Sequence, residues 1–144
     1  LQMNCSWSAS DAVDFTLSNE VVGFQMLSTT DRTAYTTVGF NMTSRRLFVD
    51  HRKSSQAHPS TIIQTTAPDV VIQKGETTLT VDVLVDGALV EIFGNHRAVI
   101  SSFVTELMEE GVDVTSPEDR CTFAMPSPAG VRCSFSAYEL VALK

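Results

Sequence analysis

The feature that most constrains this chain is a two-residue alternation of apolar and polar side chains that recurs from one end to the other. Successive side chains of a strand point to opposite sides, so this period predicts strands with one buried side. The Thr-rich stretches Thr33–Thr37 and Thr61–Thr66 also favour strands, because β-branched residues suit a half-buried pleated surface. The alternation itself is clearest at residues 131–137, 79–85, 22–26 and 47–49.

Turn-forming residues separate these stretches at intervals of roughly 8–12 residues, which is typical of a sandwich or barrel of short strands. Only Thr105–Gly111 has a composition that favours a helix, and it is short. No repeat, low-complexity tract or linker interrupts the pattern. We therefore expect a single all-β domain over residues 1–144.

Charge and composition exclude several classes of protein. The 144 residues include 10 basic and 17 acidic side chains, for a net charge of −7. Such a surface repels phosphate backbones and argues against a nucleic-acid partner. No apolar run reaches the roughly 20 residues that cross a bilayer, so we expect no membrane partner. No signal segment precedes Leu1, and we expect a mature or cleaved piece of a longer protein.

Three cysteines and two sequons bear on the compartment. Cys121 and Cys133 flank a Pro- and Gly-containing stretch, 125–130, that predicts a hairpin tip. If they face each other they form either a disulfide, which would stabilise by about 3 kcal/mol, or two buried thiols. Cys5 is then left over. The sequons lie at Asn4 and Asn41, and each is a glycosylation candidate or a coincidence of a Ser/Thr-rich chain. Together they favour the secretory pathway, with a secreted or vacuolar protein.

The clearest predicted hairpin spans 78–93, where Asp86-Gly87 is a type I′ turn signal. A two-residue loop at this position places Asp82 directly opposite Glu91. Facing carboxylates repel, so we expect Arg97, or Arg32 from an earlier strand, to complete a structural charge cluster with them.

Catalytic and metal-binding motifs are weak in this sequence. Asp82 and Glu91 are close enough to suggest the carboxylate pair of a glycosidase, but a solvated or Arg-paired sheet surface explains them better. No calcium loop, Gly-x-Ser-x-Gly elbow or phosphate-binding loop occurs. We therefore expect no metal, cofactor or catalytic residue. The histidines at 51, 58 and 96 are interpreted as loop residues, and the aromatics Trp7, Tyr35 and Tyr138 as packing residues or, alternatively, sugar platforms.

The segment 79–102 resembles a signature of glycoside hydrolase family 32, which includes invertases, inulinases, levanases and fructosyltransferases. The family pattern is Leu-x-Val-x-Val-Asp-x-Ser-x-Val-Glu-Val-Phe-x-Asn and belongs to the C-terminal β-sandwich. Upstream, Asp31-Arg32-Thr33, Val38-Gly39-Phe40 and the run 47–54 are similar to motifs of the same domain, and Tyr138-Glu139-Leu140 is similar to its last strand. The likeness departs at Gly87, at His51 and through 103–127.

The resemblance implies an antiparallel two-sheet sandwich, similar to a jelly roll, that packs on a catalytic five-bladed propeller. The family's catalytic motifs contain Asp-Pro and Glu-Cys dipeptides, and this chain contains neither. The resemblance therefore predicts a non-catalytic accessory domain of a fructan- or sucrose-acting enzyme, with the propeller as its partner. A homodimer and a contact with the fructoside are further hypotheses. The alternatives are an independent carbohydrate-binding module and an interaction domain unrelated to sugar.

Overall fold

The structure is a computed structural model that describes residues 1–7, 21–29, 33–55, 60–73, 75–104, 121–126 and 130–138. Ten strands occur in these ranges, in two five-stranded sheets with the orders β10-β1-β6-β7-β8 and β5-β4-β3-β2-β9. Every pair of neighbouring strands is antiparallel. The strands are β1 (Gln2–Trp7), β2 (Val21–Ser28), β3 (Thr36–Asn41), β4 (Arg46–Asp50), β5 (Ile63–Thr65), β6 (Thr78–Asp86), β7 (Leu89–Gly94), β8 (Ala98–Phe103), β9 (Cys121–Ala124) and β10 (Val131–Ser136).

The core lies between the two sheets and is filled by the apolar half of the alternation. Along β6 and β7, the side chains of Val81, Val83, Val90 and Ile92 are almost fully buried. They belong to the same core cluster as Phe40 and other side chains of the second sheet. Burying one such side chain contributes about 1.5–3 kcal/mol, so this layer is the main stabilising element of the domain. The predicted all-β, two-sheet antiparallel sandwich is thus confirmed.

The predicted register of the β6–β7 hairpin is wrong by one position on each strand. The loop consists of Gly87 and Ala88, and Asp86 is still a strand residue paired with Leu89. Gly87 has a φ of +56°. Positive φ at only the first loop position is the pattern of a type II′ turn, which favours Gly there, rather than the predicted type I′ turn. Because both strands shift by one residue, core residues still pair with core residues, such as Val83 with Ile92, and the same side chains stay buried.

The type I′ turn of this sheet lies instead between β7 and β8. Asn95 and His96 both have positive φ, at 46° and 54°. The N–H of Arg97 donates to the carbonyl of Gly94 over 2.9 Å and closes the turn. Asn is one of the residues that tolerate this conformation, so Asn95 was the available sequence signal.

The predicted pairing of Cys121 with Cys133 is wrong. Cys133 forms a disulfide with Cys5, and the two residues are direct partners in the β1–β10 register. Cys121 lies in β9, which pairs with β2 in the other sheet. The hairpin predicted around 125–130 does not form, because the chain crosses from one layer to the other between these strands.

Three predictions fall on residues that the structure does not describe. The short helix considered at 105–111 lies outside the described residues, as do Arg32 and His58. Among the described residues, no helix is long and apolar enough to span a membrane.

Candidate docking face on the outer side of one sheet

The outward side chains of β6, β7 and β8 form a three-by-three lattice, which we call the outer β6–β8 face. The strand registers align its members in three rows across the sheet. Glu91 occupies the centre, with Leu84 on one side and Ser101 on the other. The two flanking rows are Asp86, Leu89 and Phe103, and Asp82, Phe93 and Val99.

Five of the nine positions on this face are apolar, and two of them are well exposed. Phe103 is 67% exposed and Val99 is 54% exposed. Leu84, Leu89 and Phe93 are half-buried beside them. Strand β5, the edge strand of the other sheet, contacts β8. Its Ile63 is 44% exposed. Each of the two exposed side chains adjoins a half-buried apolar partner across the ladder, Phe103 beside Leu89 and Val99 beside Phe93. Contiguous apolar patches mark surfaces that another molecule or domain covers.

The remaining charges of the face are all negative. Asp82, Asp86 and Glu91 are its three carboxylates, and β6, β7 and β8 contain no Lys or Arg. Glu91 Oε1 accepts a hydrogen bond from Ser101 Oγ at 2.8 Å. Asp82 accepts one from the side-chain amide of Gln2 at 2.7 Å.

The predicted charge cluster therefore does not assemble as expected. Asp82 lies opposite Phe93, and Glu91 lies opposite Leu84, since the hairpin register is shifted. Arg97 does not reach either carboxylate: its guanidinium forms two 2.6 Å hydrogen bonds with Glu76. Among the described residues, a hydroxyl donates to Glu91 and a side-chain amide donates to Asp82. Arg32, the other expected cation, is not among them.

Arg97 and Asn95 instead clamp the segment before β6 onto the β7–β8 turn. Arg97 donates to the carbonyl of Val71 at 3.2 Å as well as to Glu76. Asn95 donates to the same carbonyl at 3.1 Å, and its Oδ1 accepts from the N–H of Thr80 at 2.6 Å. These contacts hold the end of the outer β6–β8 face at which Phe93 and Val99 lie.

The clamp has a measurable pH signature. Hydrogen bonds from Arg97, with a further one from the backbone of Gln73, lower the pKa of Glu76 from 4.5 to about 2. A depressed folded-state pKa contributes stability that is present above pH 4.5 and is lost as the pH falls toward 2. We expect Arg97→Gln to return the pKa of Glu76 toward 4.5, measured by NMR titration of its carboxyl carbon. Arg46→Gln is the matched control and leaves the pKa at about 2. A Glu76 carboxyl that titrates near 4.5 in the unaltered protein would contradict this clamp.

The two sequons differ in their surroundings. Asn41 ends β3 and its Oδ1 accepts the backbone N–H of Ser44 in the following turn, at 2.7 Å. Asn4 is exposed on β1, the second strand of its sheet, and accepts a hydrogen bond from the Thr80 hydroxyl at 3.0 Å. Asn4 is therefore the more exposed of the two, whereas Asn41 is half-buried at the end of its strand.

Asn4 also lines a shallow groove of about 480 Å³ on the polar half of the same sheet. The groove crosses β10, β1 and β6, and its described lining includes Ser6, Thr80, Arg132 and Ser134. No aromatic side chain occurs among these described lining residues. Of the predicted aromatic platform residues, Tyr35 precedes β3 in one sheet and Tyr138 follows β10 in the other.

His51 is the one predicted loop histidine with a structural role in the described chain. It follows β4, is 2% exposed, and its Nε2 lies 2.7 Å from the hydroxyl of the equally buried Ser102 on β8. The pair joins the two sheets inside the sandwich, where no substrate reaches it. His96 is exposed in the β7–β8 turn. No group of three or more His, Cys, Asp and Glu side chains suited to a metal ion occurs among the described residues.

Sequence reasoning missed the apolar members of the outer β6–β8 face. The available signal was that 79–93 carries apolar residues at both parities, with Leu84, Leu89 and Phe93 on the side opposite the core. Apolar residues on both sides are typical of a sheet that is covered on both faces.

Comparison with known families and structures agrees with this fold. Residues 2–118 match the family model described as "Glycosyl hydrolases family 32 C terminal". No curated protein sequence matches the chain.

Three solved structures illustrate the likeness. A β-fructofuranosidase of Aspergillus kawachii, complexed with glycerol, is 25% identical over 72% of this chain and 18% of its own, with a TM-score of 0.54. A fructosyltransferase of A. japonicus is 20% identical over 95% of this chain and 22% of its own, with a TM-score of 0.58. An exo-inulinase of Aspergillus awamori shares the fold, at 15% identity over 92% of this chain and 23% of its own and a TM-score of 0.60. The chain thus spans about a fifth of the length of these structures.

Proposed function

Since this chain belongs to the family of glycosyl hydrolase family 32 C-terminal domains, we propose that it is the accessory β-sandwich of an enzyme that cleaves or transfers fructosyl units of sucrose or a fructan. The similar structures are an exo-inulinase, a β-fructofuranosidase and a fructosyltransferase, and their shared chemistry supports this substrate class. The chain corresponds to a minor share of each, so the activity belongs to the longer enzyme rather than to this domain.

The observation that carries the proposal is the outer β6–β8 face. A sheet that faces water on one side has polar side chains there, whereas this sheet exposes Phe103 and Val99 beside three half-buried apolar residues. A catalytic domain packed on this face removes that surface from water. Burial of apolar area contributes about 25 cal/mol per Å², so such packing stabilises both domains.

In this proposal the sandwich itself breaks no bond. The carboxylates of the outer β6–β8 face lie on an open sheet rather than across a cleft, and Glu91 and Asp82 bond to Ser101 and Gln2. The dipeptides that the resemblance associates with catalysis, Asp-Pro and Glu-Cys, do not occur in the chain. The acid, base and nucleophile are assigned to the catalytic domain, and residues 1–144 to one accessory unit.

The proposal includes passage through the secretory pathway. The Cys5–Cys133 disulfide supports it, because structural disulfides persist in oxidising compartments. The sequons support it further, since Asn4 is exposed on β1 and Asn41 ends β3 beside a turn.

The test is the mass and activity of the native protein purified from its natural source. We expect this sequence within a polypeptide or complex four to five times its length, since it corresponds to 18–23% of the similar structures. That species should release fructose from sucrose or inulin and should lose mass on treatment with an N-glycosidase. The 144-residue chain produced alone is the control and should release none. A native 15.7 kDa species without a partner, or fructose release by the isolated chain, would contradict the proposal.

A further inference from the structure

The charge pattern of the outer β6–β8 face specifies more than an apolar partner. We propose that the surface covering this face carries an arginine or lysine side chain that pairs with Glu91. This inference rests on the proposed function, since it names the chemistry of the catalytic-domain surface that docks here.

Glu91 lies where a covering domain removes most water. Within its strand it is flanked on the same side by Leu89 and Phe93, and across the sheet it lies between Leu84 and Ser101. Because apolar residues occupy the positions around it, a domain that buries them must also bury the carboxylate. An ionised carboxylate moved out of water is strongly destabilised unless a cation and hydrogen bonds replace its hydration.

The hydrogen bond that Glu91 already makes is not sufficient. Ser101 Oγ donates one hydrogen bond to Oε1 of Glu91, and it carries no charge. A carboxylate offers about four acceptor positions, and this bond fills one of them. A guanidinium or ammonium group on that surface supplies both the missing donors and the compensating charge.

The described part of this chain does not supply that cation. Three of its arginines pair with carboxylates elsewhere: Arg97 with Glu76, Arg52 with Asp50 and Arg45 with Asp69. Arg46 donates to Thr65, Lys53 lies over the Tyr35 ring, and the Leu1 ammonium donates to the carbonyl of Val83. Arg132 lies on β10, and β1 and β6 separate that strand from β7. The two neighbouring carboxylates, Asp82 and Asp86, add to the negative potential at Glu91. A basic group on the partner is the complement of this arrangement.

The experiment uses the complete polypeptide that contains this sequence, with a protease site introduced between the two domains. The rate of cleavage there reports the fraction of molecules in which the domains are undocked. Glu91→Lys places like charges together and should reduce the docking equilibrium constant by about 30-fold or more at low salt. Glu91→Gln keeps the shape of the side chain and should reduce the docking equilibrium constant by a smaller factor. In 1 M salt the docking constants of both variants should lie closer to that of the unaltered protein.

Two further variants separate the possible failures. Asp86→Lys makes the same charge change at an exposed corner of the face and should have a much smaller effect than Glu91→Lys. Phe103→Asp disrupts the apolar contact and tests docking itself. If Phe103→Asp undocks the domains but Glu91→Lys acts no more strongly than Asp86→Lys, the cation is wrong and the docking face stands. If neither Phe103→Asp nor Glu91→Lys changes cleavage, this is not the docking face. Circular dichroism checks that each variant is folded.

Discussion

Replacement of Gly39 by alanine is expected to destabilise the domain strongly. Gly39 lies directly opposite Gly23 in the β2–β3 ladder, at the centre of the second sheet. A Cβ on Gly39 would lie 2.2 Å from the carbonyl oxygen of Val22 and 2.9 Å from the Cα of Gly23. Both contacts are with backbone, so no side-chain rotation relieves them. The strands would have to separate, which breaks ladder hydrogen bonds and opens the core beside Phe40.

We expect Gly39→Ala to lower the free energy of unfolding by more than about 3 kcal/mol, in the range reached by overpacking of a buried site. Urea unfolding followed by circular dichroism measures this. Gly75→Ala is the matched control, because a Cβ there has open space around it although its φ is +89°. That variant should lose only the roughly 1–2 kcal/mol that a left-handed conformation costs a non-glycine residue. A Gly39→Ala protein within 1 kcal/mol of the unaltered one would show that β2 and β3 are not paired in this register.

The second large effect is expected from removal of the Cys5–Cys133 disulfide. The bridge joins residues 128 positions apart and so closes nearly the whole chain into one loop. In the chain-entropy model, a loop of this length is worth about 5 kcal/mol. Domains of this kind have net stabilities of about 5–15 kcal/mol, so the double variant Cys5→Ala/Cys133→Ala should be marginally stable or unfolded at 37 °C.

Cys121→Ala is the control that distinguishes the two pairings. It should leave stability within about 1 kcal/mol of the unaltered protein, because the Cys5–Cys133 bridge remains intact. Thiol titration of the denatured, unreduced protein should find one reactive cysteine of the three, at position 121. Two free thiols in denatured Cys121→Ala, at Cys5 and Cys133, would instead show that Cys121 pairs with Cys133.

The fold class could be predicted from the sequence because the alternation is a local property of each strand. The alternating segments 79–85 and 131–136 form strands β6 and β10. The register of the β6–β7 hairpin was less secure, since Asp86-Gly87 and Gly87-Ala88 are both acceptable loops. The hairpin sequence alone does not choose between them, because β6 also pairs with β1 and β7 also pairs with β8.

The disulfide and the assignment of strands to sheets could not be predicted for a related reason. Strand β1 pairs with β10 and β6, and both partners are more than 70 positions away. Cys121 and Cys133 are close in sequence but belong to different layers. Sequence separation favoured the wrong pair, because long-range pairing is decided by how the two sheets share the core.

The candidate docking face was visible in part. The sequence predicts Asp82 and Glu91 as a charge pair. The structure places both on the outer β6–β8 face but not opposite each other. Phe103 and Val99 were not predicted as members of this face. Buried and exposed residues alternate along β8, with Ile100 and Ser102 buried, so its exposed apolar side chains resemble those of any strand. Only the alignment of β8 beside β7 shows that these side chains join a common surface.

The central claim is that a catalytic domain covers the outer β6–β8 face, and side-chain footprinting with hydroxyl radicals tests it most directly. In this domain Phe103 is 67% exposed and Tyr138 is 71% exposed, so the two aromatic rings are equally available when nothing is docked. The measurement is the oxidation rate of each ring in the complete native polypeptide, normalised to the free amino acids. The account predicts that Phe103 is strongly protected while Tyr138 is oxidised at the rate of an exposed residue. Oxidation of Phe103 at a rate comparable to that of Tyr138 would contradict it.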